Sequence, residues 1–177
     1  MKNRLQIALA VTACALTSNS IHASDSLEKY GDIAQFAIPL TAGAIAVSHG
    51  DWDGVGRLAE GAIYTAIATH TLKFAVDAER PNGGSHSWPS GHTSAAMQGA
   101  AFLQFEYGSQ YGIPAYLAAG LVGYSRVDSE HHYWRDVVAG ALLATGIQYA
   151  VSKKGYSLTV APFVTGKSSG LLASMSF

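Results

Sequence analysis

Three groups of residues in this chain carry the side chains that phosphate chemistry needs. They are Lys73 with Arg80-Pro81, then Pro89-Ser90-Gly91-His92, then Ser125-Arg126 with His132 and Asp136. Cations clamp an oxyanion, Arg through a planar fork and Lys as a point charge. A histidine can attack or give a proton, and a carboxylate on one ring nitrogen fixes its tautomer. In sequence, and in a chain with only 13% charged residues, they point to phosphoryl transfer through a histidine.

Each group alone has an ordinary reading. Lys73 and Arg80 are two helical turns apart and would share a face if the helix ran to Pro81. With Asp77 and Glu79 nearby they would equally make a solvated edge. Ser90 reads as a helix N-cap, Gly91 as a point where backbone can approach a ligand, and the helix start as an anion site. His92 would then stand beside the anion, or be incidental to a capping turn. His132 and Asp136 are predicted one turn apart on a helix. His131 competes for the same role, but Arg135 occupies the position where an acid would support it. His131, His132 and Asp136 could also ligate a metal, but three cations in the same constellation repel a divalent ion, so no metal is expected.

The elements that must position these groups read as helices at 33–48, 56–76, 91–107, 112–124 and 132–152, from apolar stretches separated by polar or glycine-rich breaks. Residues 24–32 read as a short polar lead. Residues 81–89, with two prolines and two glycines, read as a loop, and 107–114 as another break. The tail, 155–177, alternates like a short β-hairpin around a turn at 166–170 and ends on Phe177. Two strands cannot close a barrel, so a docked hairpin is expected rather than the end of an outer-membrane barrel.

The N-terminus has the form of a secretory signal over 1–23. Lys2 and Arg4 precede an apolar run from Leu5 to Leu16 that is too short to cross a bilayer. Cleavage after Ala23 would take the net charge from −1 to −3, which excludes nucleic-acid binding on bulk charge. It would also remove Cys14, the one cysteine, unless Cys14 marks lipoprotein processing. The chain is 49% hydrophobic but rich in Ala and Gly, and its helices are at the short end for spanning. A soluble or peripheral bundle and an integral one both fit.

Together the three groups resemble the signature of the type 2 phosphatidic acid phosphatase (PAP2) family, K-x6-RP, PSGH and SR-x5-H-x3-D, over about residues 58–150. The resemblance implies an all-α bundle of five to six helices over 24–154. It implies His132 as a nucleophile forming a phosphohistidine, Asp136 orienting it, and His92 protonating the leaving alcohol. It implies Lys73, Arg80, Ser90, Gly91 and Arg126 as the phosphate cradle, with no cofactor. The expected activity is a metal-independent phosphatase of the periplasm or cell envelope. Its substrate would be a phospholipid or isoprenoid phosphate: phosphatidic acid, phosphatidylglycerol phosphate, polyprenyl pyrophosphate or lipid A. A vanadate-dependent haloperoxidase, whose site is similar but whose chains are typically much longer, is the competing enzyme. A non-catalytic phosphate-binding envelope protein is the competing non-enzyme. Which lipid, and which oligomeric state, the sequence leaves open.

Overall fold

Small residues decide how the helices of this protein meet. The computed structural model describes the backbone of residues 2–154, 157–165 and 168–176, and the side chains of residues 25–153. Five helices follow one another: α1 (Lys2–Ser48), α2 (Trp52–Val76), α3 (Gly91–Tyr107), α4 (Ser109–Asp128) and α5 (Trp134–Lys154). The all-α bundle expected from the sequence is the observed fold. In the tail, backbone strands β1 (Ser157–Thr165) and β2 (Ser168–Ser176) pair antiparallel. The side chains of the tail and of the expected signal segment, including Cys14, lie outside the described residues.

α3 is the central helix. Ala96, Ala100 and Phe102 are fully buried, packed in clusters with Ala34, Ala42 and Ala46 of α1 and Ala119 and Val122 of α4. Glycines let backbones touch. A Cβ on Gly99 would lie 2.7 Å from Pro39 Cα of α1, and one on Gly123 would lie 2.6 Å from Val137 Cγ1 of α5. Gln98 Nε2 uses both hydrogens, donating to Leu58 O at 3.0 Å and Gln148 Oε1 at 2.8 Å, and so joins α2, α3 and α5.

The antiparallel order of the helices sorts their ends. The C-termini of α2 and α4 and the N-termini of α3 and α5 gather at one end of the bundle. Polar bonds lock the opposite end. Arg57 donates to Glu106 at 3.0 and 2.8 Å, and the Tyr107 hydroxyl donates to Asp51 at 2.8 Å. Asp51 also caps α2 by accepting from Gly54 N at 2.7 Å.

Four expectations need correction. Residues 24–32 are not a polar lead: they continue α1, and the Tyr30 hydroxyl donates to Ala118 O of α4 at 2.9 Å. The break at 107–114 shrinks to Gly108 at φ 82°, and Pro114 lies within α4. α2 stops at Val76 on a left-handed Asp77 cap, so Lys73 and Arg80 do not share a helix face. α5 starts at Trp134, so His132 precedes the helix that carries Asp136.

Candidate active site

The gathered helix ends surround a cavity of about 540 Å³, whose wall includes Lys73, Arg80, Gly91, His92, Arg126 and His132. Each arrives by a different route. Lys73 is in the last turn of α2 and donates to His86 O at 2.8 Å. Arg80 is held by the following loop, its Nε donating to Ser85 O at 3.0 Å. Gly91 and His92 begin α3, so their amides have no carbonyl four residues back within the helix. A Cβ on Gly91 would meet Lys73 Cε at 3.6 Å, so the side chain's absence keeps that wall open.

Ser90 is fully buried and is not part of the cavity wall. Its Oγ accepts from Thr93 Oγ1 at 3.0 Å, and its N–H donates to Asp136 O at 2.9 Å. In the structure it caps α3 and ties that cap to α5. His86 and Trp88, in the loop between α2 and α3, also stand off the cavity wall. His86 packs edge-on against Phe74, with ring centroids 4.8 Å apart.

His132 is 2% exposed and Asp136 is fully buried. Their direct approach, His132 Nδ1 to Asp136 Oδ2, is 3.6 Å, too long for a hydrogen bond. Ser87 fills the gap. Its Oγ–H donates to Asp136 Oδ2 at 2.6 Å, and the same oxygen lies 3.3 Å from His132 Nδ1. An ionised carboxylate only accepts, so the Ser87 hydrogen is committed to Asp136 and Oγ offers a lone pair to Nδ1–H. That assignment puts the ring proton on Nδ1 and leaves Nε2 with its lone pair. Asp136 Oδ2 also accepts from Tyr133 N at 3.0 Å, closing the first turn of α5. Burial and the charges of Lys73 and Arg80 push His132 far below the usual imidazole range, against the opposing pull of Asp136. These surroundings favour the neutral ring, the form a nucleophile requires.

Sequence reasoning missed the contribution of α1 to the site. Asp32 Oδ1 accepts from Arg126 Nη1 at 2.7 Å and lies 3.2 Å from His92 Nε2. Arg126, 2% exposed, donates further to Glu28 O and Ser125 Oγ. Gly31 makes the approach possible, because a Cβ there would collide with Ser125 Oγ and Arg126 Nη2. Burial and the Arg126 charge lower the pKa of His92, and Asp32 opposes them. Asp32→Asn removes the opposing charge, so His92 should lose its proton at lower pH. An acid acts only when protonated, so with His92 in the role the resemblance implies, the alkaline limb of kcat/KM should move to lower pH. An unmoved limb would take Asp32 out of the site.

The model of the PAP2 superfamily matches residues 54–157. Lipid A 4′-phosphatase of Helicobacter pylori is 30% identical over 140 residues, covering 72% of this chain and 70% of that protein. Lipid A 1-phosphatase of Porphyromonas gingivalis is 34% identical over 116 residues, 58% of this chain but only 25% of that longer protein. The crystal structure of Aquifex aeolicus LpxE shares the fold at a TM-score of 0.66 and 19% identity, over 74% of this chain and 86% of that one. So does a transmembrane PAP2-type phosphatidylglycerolphosphate phosphatase from Bacillus subtilis, at 0.60 and 22%, over 80% and 84%. On the extent of the family match and of the Helicobacter pylori alignment, this chain belongs to the PAP2 superfamily.

Proposed function

We propose that this PAP2-type phosphatase releases phosphate from a membrane lipid of the lipid A class, through a phosphohistidine on His132 and without a metal. The observation that carries the reading is the convergence of Lys73, Arg80, Arg126 and His92 with a Ser87- and Asp136-oriented His132 on one cavity. His132 Nε2 attacks phosphorus, forming a P–N bond as the P–O bond to the lipid breaks. His92 gives its proton to the leaving oxygen. Water then attacks the phosphohistidine, His92 takes a proton from it, and inorganic phosphate leaves. The three cations stabilise the charge on the phosphoryl oxygens throughout.

The lipid A class is supported by the names of the Helicobacter pylori and Porphyromonas gingivalis relatives. Membrane association is supported by the outer faces of the bundle. α4 exposes Ile113, Leu117, Leu121 and Tyr124, α5 exposes Trp134, Val138 and Leu142, and α1 exposes Ile33, Phe36 and Leu40, each at helical spacing. Apolar surface this continuous marks contact with lipid or another protein. Asp25–Ser48 is long and apolar enough to cross a membrane. In this reading residues 1–23 export the chain, and the phosphatase domain, 24–154, keeps Glu28 and Asp32.

The test is phosphate release from lipid A, phosphatidic acid, phosphatidylglycerol phosphate and polyprenyl pyrophosphate, in detergent with EDTA. The expected result is metal-independent release, fastest from lipid A. Release that needs a divalent ion, or that favours another lipid, would contradict the corresponding part of the proposal.

The cradle also sets a pH dependence. Burial and the Arg80 charge lower Lys73 to about 8, so it loses its proton as pH rises through that value. Competitive inhibition by inorganic phosphate should therefore weaken about 10- to 100-fold above it, the worth of one charge-assisted bond. Lys73→Arg, charged throughout, should abolish that step. A phosphate inhibition constant flat from pH 7 to 9.5 in the unmodified protein would contradict the role of Lys73.

A further inference from the structure

The cavity does not end at the phosphate cradle. It continues as a groove between α1 and α2, floored by α3, and its α2 wall runs from Lys73 back to Ala62, about 16 Å along the helix axis. Ala62 and Ala66 on that wall are exposed, as is Phe36 on the α1 wall, so the groove is open along its side. The next residues of α2, Ile63 and Ile67, are also exposed but stand off the cavity, so the opening is a notch made by two alanines. Past Ala62 the notch closes. Leu58, one turn further, packs in a cluster with Ala42, Ala46 and Phe102, and its carbonyl accepts from Gln98 Nε2 at 3.0 Å. A Cβ on Gly43 of α1 would meet Leu58 Cδ2 at 3.3 Å, so the two walls touch at this stop. The surface within the groove is hydrocarbon. Thr65, Thr69, Ser94 and Gln98 are at most 3% exposed, which leaves Ala62, Ala66, Phe36, Pro39 and Ala95 as the contact surface. The polar residues that stay accessible, Gln35 and His70, lie within one turn of Asp32 and Lys73, at the cradle end.

We infer that this groove holds one hydrocarbon chain of the substrate, laid along α2 from the phosphate to the Leu58 stop, and that Ala66 and Ala62 set the length of chain it takes. Continuity with the cradle chooses the occupant: a chain that starts beside a bound phosphate enters the groove directly, and burying each methylene is favourable. A leucine at either alanine would fill the notch. The inference rests on the phosphatase reading above for the position of the phosphate, at Lys73. The chain belongs either to the leaving alcohol itself or to an acyl group on a neighbouring carbon of a phosphosugar, and the two arms of the test tell them apart.

The test is binding, measured in the His132→Ala background so that no ligand is consumed. One arm uses alkyl monophosphates from butyl to hexadecyl, and the other uses glucosamine phosphate acylated with the same range of chains. All proteins are held in the same detergent, so partition of ligand into micelles cancels when variants are compared. Affinity should rise about two- to fourfold per methylene while the chain stays in the groove, and then level off. Ala66→Leu, nearer the phosphate, should bring the plateau to shorter chains than Ala62→Leu does. It should lower the ratio of dodecyl to butyl affinity by about tenfold or more, the worth of the methylenes it displaces. Both alanines are exposed, so the melting temperature should stay within about 2 °C. Phe36→Ala, which removes a wall instead of filling the notch, should lower the gain per methylene and gives an independent reading. A shift of the plateau in the alkyl arm alone assigns the groove to the leaving alcohol, and a shift in the acylated-sugar arm assigns it to the acyl chain. The proposal is overturned if the leucines leave the length dependence of both series unmoved, or if affinities fall equally at every chain length. It is also overturned if the leucines change the oligomeric state, which would assign the groove to a second copy of the chain. Because binding is read without turnover, failure of the phosphatase reading, seen as no release by the unmodified protein, remains distinguishable from failure of this one.

Discussion

His132→Ala should lower kcat by about 10⁵- to 10⁶-fold, the scale on which a covalent nucleophile is lost. His132 Nε2 is the atom that would bond to phosphorus, and no other imidazole among the described residues has the same support. His131 also lines the cavity, but its Nδ1 meets Ser129 Oγ at 2.9 Å and its Nε2 lies 3.7 Å from Glu28. It therefore lacks the Ser87–Asp136 pair that fixes the tautomer of its neighbour. Phosphate affinity should survive the substitution, because Lys73, Arg80 and Arg126 are untouched. Phosphate-release kinetics beside phosphate binding separate the two effects. Loss of both together would mean that the site had collapsed.

Asp136→Asn should cost about 10⁴-fold in kcat, as when the orienting carboxylate of a catalytic histidine becomes an amide. The reason lies in the direction of the hydrogens. Asp136 Oδ2 accepts from Ser87 Oγ at 2.6 Å and from Tyr133 N at 3.0 Å. An asparagine can still place its carbonyl there. Its amide must then fill the Oδ1 position, which has no hydrogen-bond partner and lies 3.5 Å from Arg135 Nε. If the amide turns toward Ser87 instead, the serine hydrogen is driven onto His132 Nδ1. The ring proton then moves to Nε2, and the nucleophile is lost. Either arrangement removes a negative charge from beside Lys73, and the fold is retained. Steady-state kinetics with a thermal melt check this, and activity within tenfold of the unmodified protein would contradict the orienting role.

How much of this was legible in the sequence follows from how far apart the partners lie. Lys73, Arg80, His92, Arg126 and His132 announced themselves, because each belongs to a short pattern whose residue types carry chemistry. The helices were legible because glycine, proline and polar runs punctuate apolar stretches, and α3 was expected and found at 91–107. Asp32 was not legible. It sits in a polar stretch that reads as a lead, and its partner Arg126 is 94 positions away. Only the packing of α1 against α4, through Gly31, brings the two together. Ser87 was hidden for a related reason: its role depends on the gap between His132 and Asp136, which spacing alone suggested was closed. Spacing was right that the two lie close and wrong about how, since His132 stands before the helix rather than on it and Ser87 bridges the pair.

The central claim is the covalent intermediate on His132, and it can be read directly. The protein is mixed with ³²P-labelled lipid phosphate, quenched in alkali within the first turnover, and digested for peptide mapping. The account predicts alkali-stable, acid-labile label on the peptide carrying His132, and none in His132→Ala. Label on another residue, or steady release of phosphate with no label on the protein at any quench time, would contradict it.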